Sequence, residues 1–199
     1  MDADQSTERD FSDVGIIVYG SLLYPDEWDD LPHPSYERGI RVRVRGYKRI
    51  LNNEADFRSY TGMRRAVLNV VPDPDAWING ILVPRLYDDE KGELIDRESG
   101  YTMEEVDSDD IEFYDSARED ALSVPVKIAV GEKQRDDILP IPGYLKICLK
   151  GARYWGTDFY DDFVHSTEVA TGETLERYLQ EWGNGKESPE YVHGNENER

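Results

Sequence analysis

The chain reads as an α+β protein, and three observations carry that reading. Strand-like segments fill its first two thirds, helical periodicity takes over near residue 144, and no regular alternation of strand and helix runs through it. The apolar run 14–19 predicts a first strand that ends in a glycine turn at Gly20. Ile40, Val42 and Val44 alternate with Arg41 and Arg43, which predicts a half-buried strand over 40–44. Two more strands are expected at 66–71 and 78–86, set apart by Pro72 and Pro74, as Pro25, Pro32 and Pro34 set apart the first two. Shorter extended stretches follow at 101–106, 111–114 and 123–130, between acidic turns. One helix is expected inside this region, over 88–97, where Asp88 and Asp89 suit the positive N-terminal end of the dipole; Glu98 then falls at its C-terminal edge. From Tyr144 onward Leu145, Cys148, Leu149, Ala152 and Trp155 share a helix face, and further helices are expected at 158–166 and 173–182. The result is a mostly antiparallel sheet with late helices, one domain over 14–182, and disordered polar tails at 1–13 and 183–199.

Composition limits what such a domain can bind. Asp and Glu number 43 against 23 Lys and Arg, a formal net charge of -20, and the cations are 16 Arg but only 7 Lys. A surface of that sign repels nucleic acid and anionic membranes, so neither is expected as a partner. Hydrophobic residues at 38% still suffice for a core. The acid excess with scarce lysine fits a protein working in concentrated salt, where a Debye length of roughly 3 Å removes most self-repulsion. Cys148, the lone cysteine, sits in an apolar helix context and reads as a core residue. With no apolar run of membrane-spanning length and no signal-like N-terminus, a cytoplasmic, soluble protein is expected.

Two segments about eighty residues apart could carry chemistry: Val18-Tyr19-Gly20-Ser21-Leu22 and Leu94-Ile95-Asp96-Arg97-Glu98-Ser99-Gly100-Tyr101. In the first, Gly20 lets the backbone approach a ligand, and successive N–H groups can converge on an oxygen. In the second, one acid sits among apolar residues, where part-burial can tune it for proton transfer. Taken alone, the first reads as an ordinary strand end and the second as an ion-pair partner for Arg97 or Arg65; together they point to amide chemistry. A serine nucleophile at Ser21 with His165 as base fits badly, because a nucleophile elbow has the serine between two glycines one residue removed on each side, whereas Ser21 directly follows Gly20 and is trailed by Leu22 and Leu23. His33, His165 and His193 lie too far apart in sequence to suggest a metal site, and no metal is expected.

Read in order, the Tyr-Gly-Ser-Leu turn, the strand Trp77-Ile78-Asn79-Gly80-Ile81-Leu82 and the segment L-I-D-R-E-S-G-Y resemble the gamma-glutamylcyclotransferase superfamily. The similarity continues in Gly143-Tyr144-Leu145 and in Gly151-Ala152-Arg153-Tyr154-Trp155-Gly156. The resemblance implies a small closed antiparallel or mixed β-barrel with flanking helices. It implies cyclisation of a gamma-glutamyl group to 5-oxoproline with release of an amine or amino acid, and no cofactor. By the same resemblance Glu98 is the catalytic acid and base, and Tyr19, Gly20, Ser21 and Leu22 hold the substrate; Tyr101, close to Glu98 in sequence, either orients that acid or caps the pocket, or merely packs. The alternative on the same fold is a module that binds a gamma-glutamyl or other small carboxylate ligand without turning it over. The acceptor side of the pocket is expected from 58–65 and from the segment after Tyr144.

Overall fold

The computed structural model describes residues 14–28, 38–55, 63–84, 86, 94, 98, 100–115 and 124–183. Their sheet is built on β2 (Ile40–Glu54) and β3 (Arg64–Val83), two long antiparallel strands paired from Ile40 opposite Leu82 to Glu54 opposite Ala66. β1 (Gly15–Val18) lies antiparallel to β3 and parallel to β6 (Val126–Gly131), which in turn pairs antiparallel with β4 (Tyr101–Val106). β5 (Ile111–Phe113) borders β2 antiparallel, while the short β7 (Leu139–Pro140) and β8 (Thr167–Val169) add parallel to β3 and β2. The path β4-β6-β1-β3-β2-β5 has two free ends, so the sheet is an open, mixed half-barrel and not the closed barrel expected from the sequence. Three α-helices are described: α1 (Pro142–Tyr154), α2 (Thr157–His165) and α3 (Leu175–Gly183).

Several expectations change in detail. The predicted strands 66–71 and 78–86 are one strand, because Pro72 to Trp77 lie opposite only Arg45 to Tyr47 in a wide irregularity that absorbs both prolines. That irregularity is centred on Gly46, whose φ of +81° suits glycine, and it reverses the parity of β2. Val42 and Val44 face the core before it; Tyr47, Arg49 and Leu51 face inward after it. Of the helix expected at 88–97 only Leu94 is described, helical and buried, and the tails lie outside the described residues apart from Gly183. No helix among the described residues is long and apolar enough to cross a membrane.

Gly80 and Gly151 are places where the chain passes closest to itself. A Cβ on Gly80 would meet the Val18 carbonyl oxygen at 2.9 Å, so β1 can seat on β3 only over a glycine. A Cβ on Gly151 would lie 2.6 Å from the backbone of Leu23 and Tyr24, so α1 presses directly on the loop that follows β1.

Candidate active site

The loop after β1 is a single 3-10 turn, Ser21–Leu23, closed by Leu23 N–H to the Gly20 carbonyl at 3.1 Å and Tyr24 N–H to the Ser21 carbonyl at 2.9 Å. Two indoles fix its far side: Trp28 Nε1 donates to the Leu22 carbonyl at 2.8 Å and Trp155 Nε1 to the Leu23 carbonyl at 3.0 Å. Leu22 and Leu23 are buried in the core, so Leu22 can meet a ligand only through its main chain. Ser21 is half-buried at the start of the turn, and His165 is exposed at the end of α2. A Cβ on Gly20 would sit 2.8 Å from the Tyr144 hydroxyl, so the loop touches α1 at a point where only glycine fits.

Opposite this loop lies a stretch of β3 whose outer edge no described strand pairs. β3 pairs with β7 at Arg64 and Ala66 and with β1 at Ile81 to Val83, and between these points three tyrosine hydroxyls take the place of a strand. Tyr144 accepts from Leu68 N–H at 3.3 Å, Tyr101 donates to the Leu68 carbonyl at 3.2 Å, and Tyr19 accepts from Val70 N–H while donating to the Ala129 carbonyl at 2.6 Å. Burial is the main reason that all three phenols are held above their ordinary pKa, so they are neutral donors and acceptors at physiological pH.

Asparagines brace the same edge. Asn53 accepts from Lys133 N–H at 3.1 Å and hydrogen-bonds the Tyr101 hydroxyl, and Asn69 accepts from Gly131 N–H at 2.6 Å while donating to Asn52 Oδ1 at 3.2 Å.

Glu98 reaches this cluster through a turn that its neighbours make. Its N–H caps the Leu94 carbonyl at 2.9 Å, and its carbonyl accepts from Tyr101 N–H at 3.0 Å across Gly100, which holds φ of +96° as the third residue of such a turn often must. The side chain is half-buried, and its negative charge helps to raise the pKa of both Tyr19 and Tyr101. Glu98, Tyr19, Gly20 and Tyr101 thus share one neighbourhood, joined by Tyr144. Of the expected acceptor side, 56–62 lies outside the described residues, and Arg65 is held by Glu54 at 2.9 Å.

Arg49 is the residue that the sequence reading missed. It is completely buried, and its guanidinium donates to Asn79 Oδ1 at 2.6 Å, the Asn79 carbonyl at 2.7 Å, Thr167 Oγ1 at 2.8 Å and Ser166 Oγ at 2.8 Å. Longer contacts reach the Phe163 carbonyl at 3.4 Å and the Tyr19 carbonyl at 3.5 Å, and the guanidinium stacks 4.0 Å from the Phe163 ring centroid. No carboxylate pairs with it among the described residues. Burial lowers its pKa to about 9, which still leaves it charged at neutral pH. The signal was Gly46: a lone glycine inside a strand pattern marks a bulge, and one extra residue turns Arg49 from the arginine-lined outer face to the core.

Other features are less convergent. A cleft of about 610 Å³ between β4 and the start of β6 is lined by Glu105, Asp107 and Ser108 with Val124 and Pro125, away from the phenols. Among the described residues no group of three His, Cys, Asp or Glu could hold a metal ion.

A mixed half-barrel with its helices late in the chain, and a glycine turn at the end of its first strand, is the gamma-glutamyl-cyclotransferase-like fold. Among solved structures the chain is similar to a gamma-glutamyl cyclotransferase, with a TM-score of 0.54 and 15% identity over 84% of this chain and 98% of that one. It is also similar to YkqA from Bacillus subtilis, with a TM-score of 0.58 and 15% identity over 84% of this chain. An uncharacterised protein from Homo sapiens gives 0.53 and 16%, over 83% of this chain and 97% of that one. The chain spans 54% of YkqA, about half its length. No protein-family model matches the sequence, and no curated protein matches it significantly.

Proposed function

We propose that the protein cyclises a gamma-glutamyl group to 5-oxoproline and releases the attached amine or amino acid, with Glu98 as base and then acid. The observation that supports this most directly is the half-buried Glu98 carboxylate beside the Tyr19 and Tyr101 phenols, next to a glycine loop. In this reading Glu98 takes a proton from the substrate α-ammonium. The freed amine attacks the γ-carbonyl carbon, Glu98 returns the proton to the nitrogen that leaves as the C–N bond breaks, and the second proton, shed by the ring nitrogen, passes to the released amine, which departs as an ammonium. General acid–base help of this kind is worth roughly 10² to 10⁴ in rate. The main-chain amides of Gly20, Ser21 and Leu22 are assigned to the substrate oxygens, a contribution of about 3–4 kcal/mol per well-placed donor. Because nucleophile and electrophile belong to one molecule, a pocket that folds the glutamyl chain supplies much of the remainder.

The test is 5-oxoproline release from a panel of gamma-glutamyl amines and peptides, at low and high salt, by the wild type and by Glu98→Gln. Release by the wild type and a loss of roughly 10²-fold or more in a folded Glu98→Gln protein are expected. A wild type that binds these compounds and releases nothing is a binding module, and the enzyme reading fails.

A further inference from the structure

Arg49 stands apart from every other cation in the described chain. The ion-paired arginines among the described residues lie near the surface beside carboxylates, as Arg41 does with Asp158 and Arg43 with Asp162. Arg49 is fully buried against carbonyls, hydroxyls and one amide oxygen. Two of its acceptors, Phe163 and Ser166, belong to the C-terminal end of α2, where the helix dipole offers partial negative charge. Dipoles satisfy its N–H groups, but no described carboxylate cancels its net charge, and a buried charge without a counter-ion is costly to keep.

Its position suggests what the charge is for. Arg49 Nη1 faces the Tyr19 carbonyl, and the peptide bond from Tyr19 to Gly20 is trans like every other described one. In a planar trans peptide the N–H leaves the edge opposite the C=O, so a cation drawing on the Tyr19 oxygen makes the Gly20 N–H a stronger donor on the other side. That N–H belongs to the glycine packed against Tyr144, within the phenol cluster.

We propose that Arg49 is a positioning residue for the Gly20 loop: its guanidinium, paired with no described carboxylate and seated behind the Tyr19–Gly20 peptide, makes the loop select ligands that bring a carboxylate. The incoming anion supplies the counter-charge that no described carboxylate provides. With the negative Glu98 near the same cluster, the site is polarised in the sense that suits an α-amino acid head group: carboxylate toward the loop, ammonium toward the acid. This deepens the proposed function by assigning the group that recognises the α-carboxylate.

The experiment compares 5-oxoproline with 5-oxoprolinamide, which differ only in the carboxylate, binding to the full chain by calorimetry at neutral pH. Wild type is expected to prefer the acid by roughly tenfold or more, the effect of one charge acting through a few ångströms of protein. Arg49→Met, with folding checked by circular dichroism and melting, is expected to abolish the preference. Arg49→Lys, which keeps the charge, should retain part of it. If Arg49→Met does not fold, Ser166→Asp serves instead, because it brings a carboxylate to the half-buried position already bonded to Nη2 and cancels the charge in place. A purely structural arginine would weaken both ligands alike and leave their ratio unchanged. An unchanged ratio in Arg49→Met, or in Ser166→Asp where that variant stands in, overturns the proposal, and so does a wild type that shows no preference or binds neither ligand. Turnover separates the two claims: an Arg49-dependent preference without 5-oxoproline release sinks only the enzyme, whereas release with an Arg49-independent preference sinks only this inference.

Discussion

At the scale of single residues, the site depends on how little room its glycines leave. Gly20 is the sharpest case, since any side chain there enters the space of the Tyr144 hydroxyl, which in turn holds the Leu68 N–H. Gly20→Ala is expected to lower stability by about 1–3 kcal/mol, the usual range for overpacking a tight contact, and to weaken 5-oxoproline binding at the same time. Thermal melting and calorimetry check both; an unchanged melting temperature with unchanged affinity would show that the loop can yield at no cost. The sequence revealed this glycine, the acid at Glu98 and the Gly100 turn, because short motifs of glycine with a polar residue have local causes. It did not reveal Arg49 or the three phenols as a group, since their meeting depends on a parity change at Gly46 and on strands more than a hundred residues apart. The resemblance makes Leu22 a ligand contact, whereas its side chain belongs to the core.

At the scale of elements, α2 is anchored to the sheet by charge as well as by packing. Arg43 donates through Nε and Nη2 to Asp162 Oδ2, at 2.9 and 2.7 Å, and the Tyr114 hydroxyl donates to the same oxygen. The Tyr114 phenol is consequently held above its ordinary pKa, by burial first and by that carboxylate second. Asp162→Asn is expected to cost about 1–2 kcal/mol in denaturant unfolding, because it weakens charge-assisted bonds at a part-buried site. The pair from Arg41 to Asp158 has similar distances but an aspartate side chain that is 60% exposed, so Asp158→Asn is expected to change stability by less than about 0.5 kcal/mol. Equal losses in the two variants would contradict this ranking. Elements of strong local periodicity were legible in advance, and α1, α2 and β4 lie close to where the pattern put them. The short strands β7 and β8 were not, because two or three residues carry no period; they form only where β3 and β2 offer an edge.

At the scale of the whole molecule, a net charge of -20 on 199 residues sets the conditions under which the fold holds. Screening grows steeply between about 0.1 M salt, with a Debye length near 10 Å, and about 1 M, with one near 3 Å. The melting temperature is therefore expected to rise with potassium chloride over that interval and to level off beyond it; a flat or falling curve would show that self-repulsion does not limit stability. The open sheet also explains why a closed barrel could not be told from a half-barrel in the sequence: both have the same strands, and closure turns on whether β4 meets β5. The placement of β1 between β3 and β6 bears on biosynthesis. Its parallel partner, residues 126–128, is translated more than a hundred residues after it, at roughly 5–20 residues per second. For several seconds the nascent chain therefore carries its glycine loop on a strand with one bare flank, and ribosome-bound lengths that stop short of β6 should be the ones that chaperones hold.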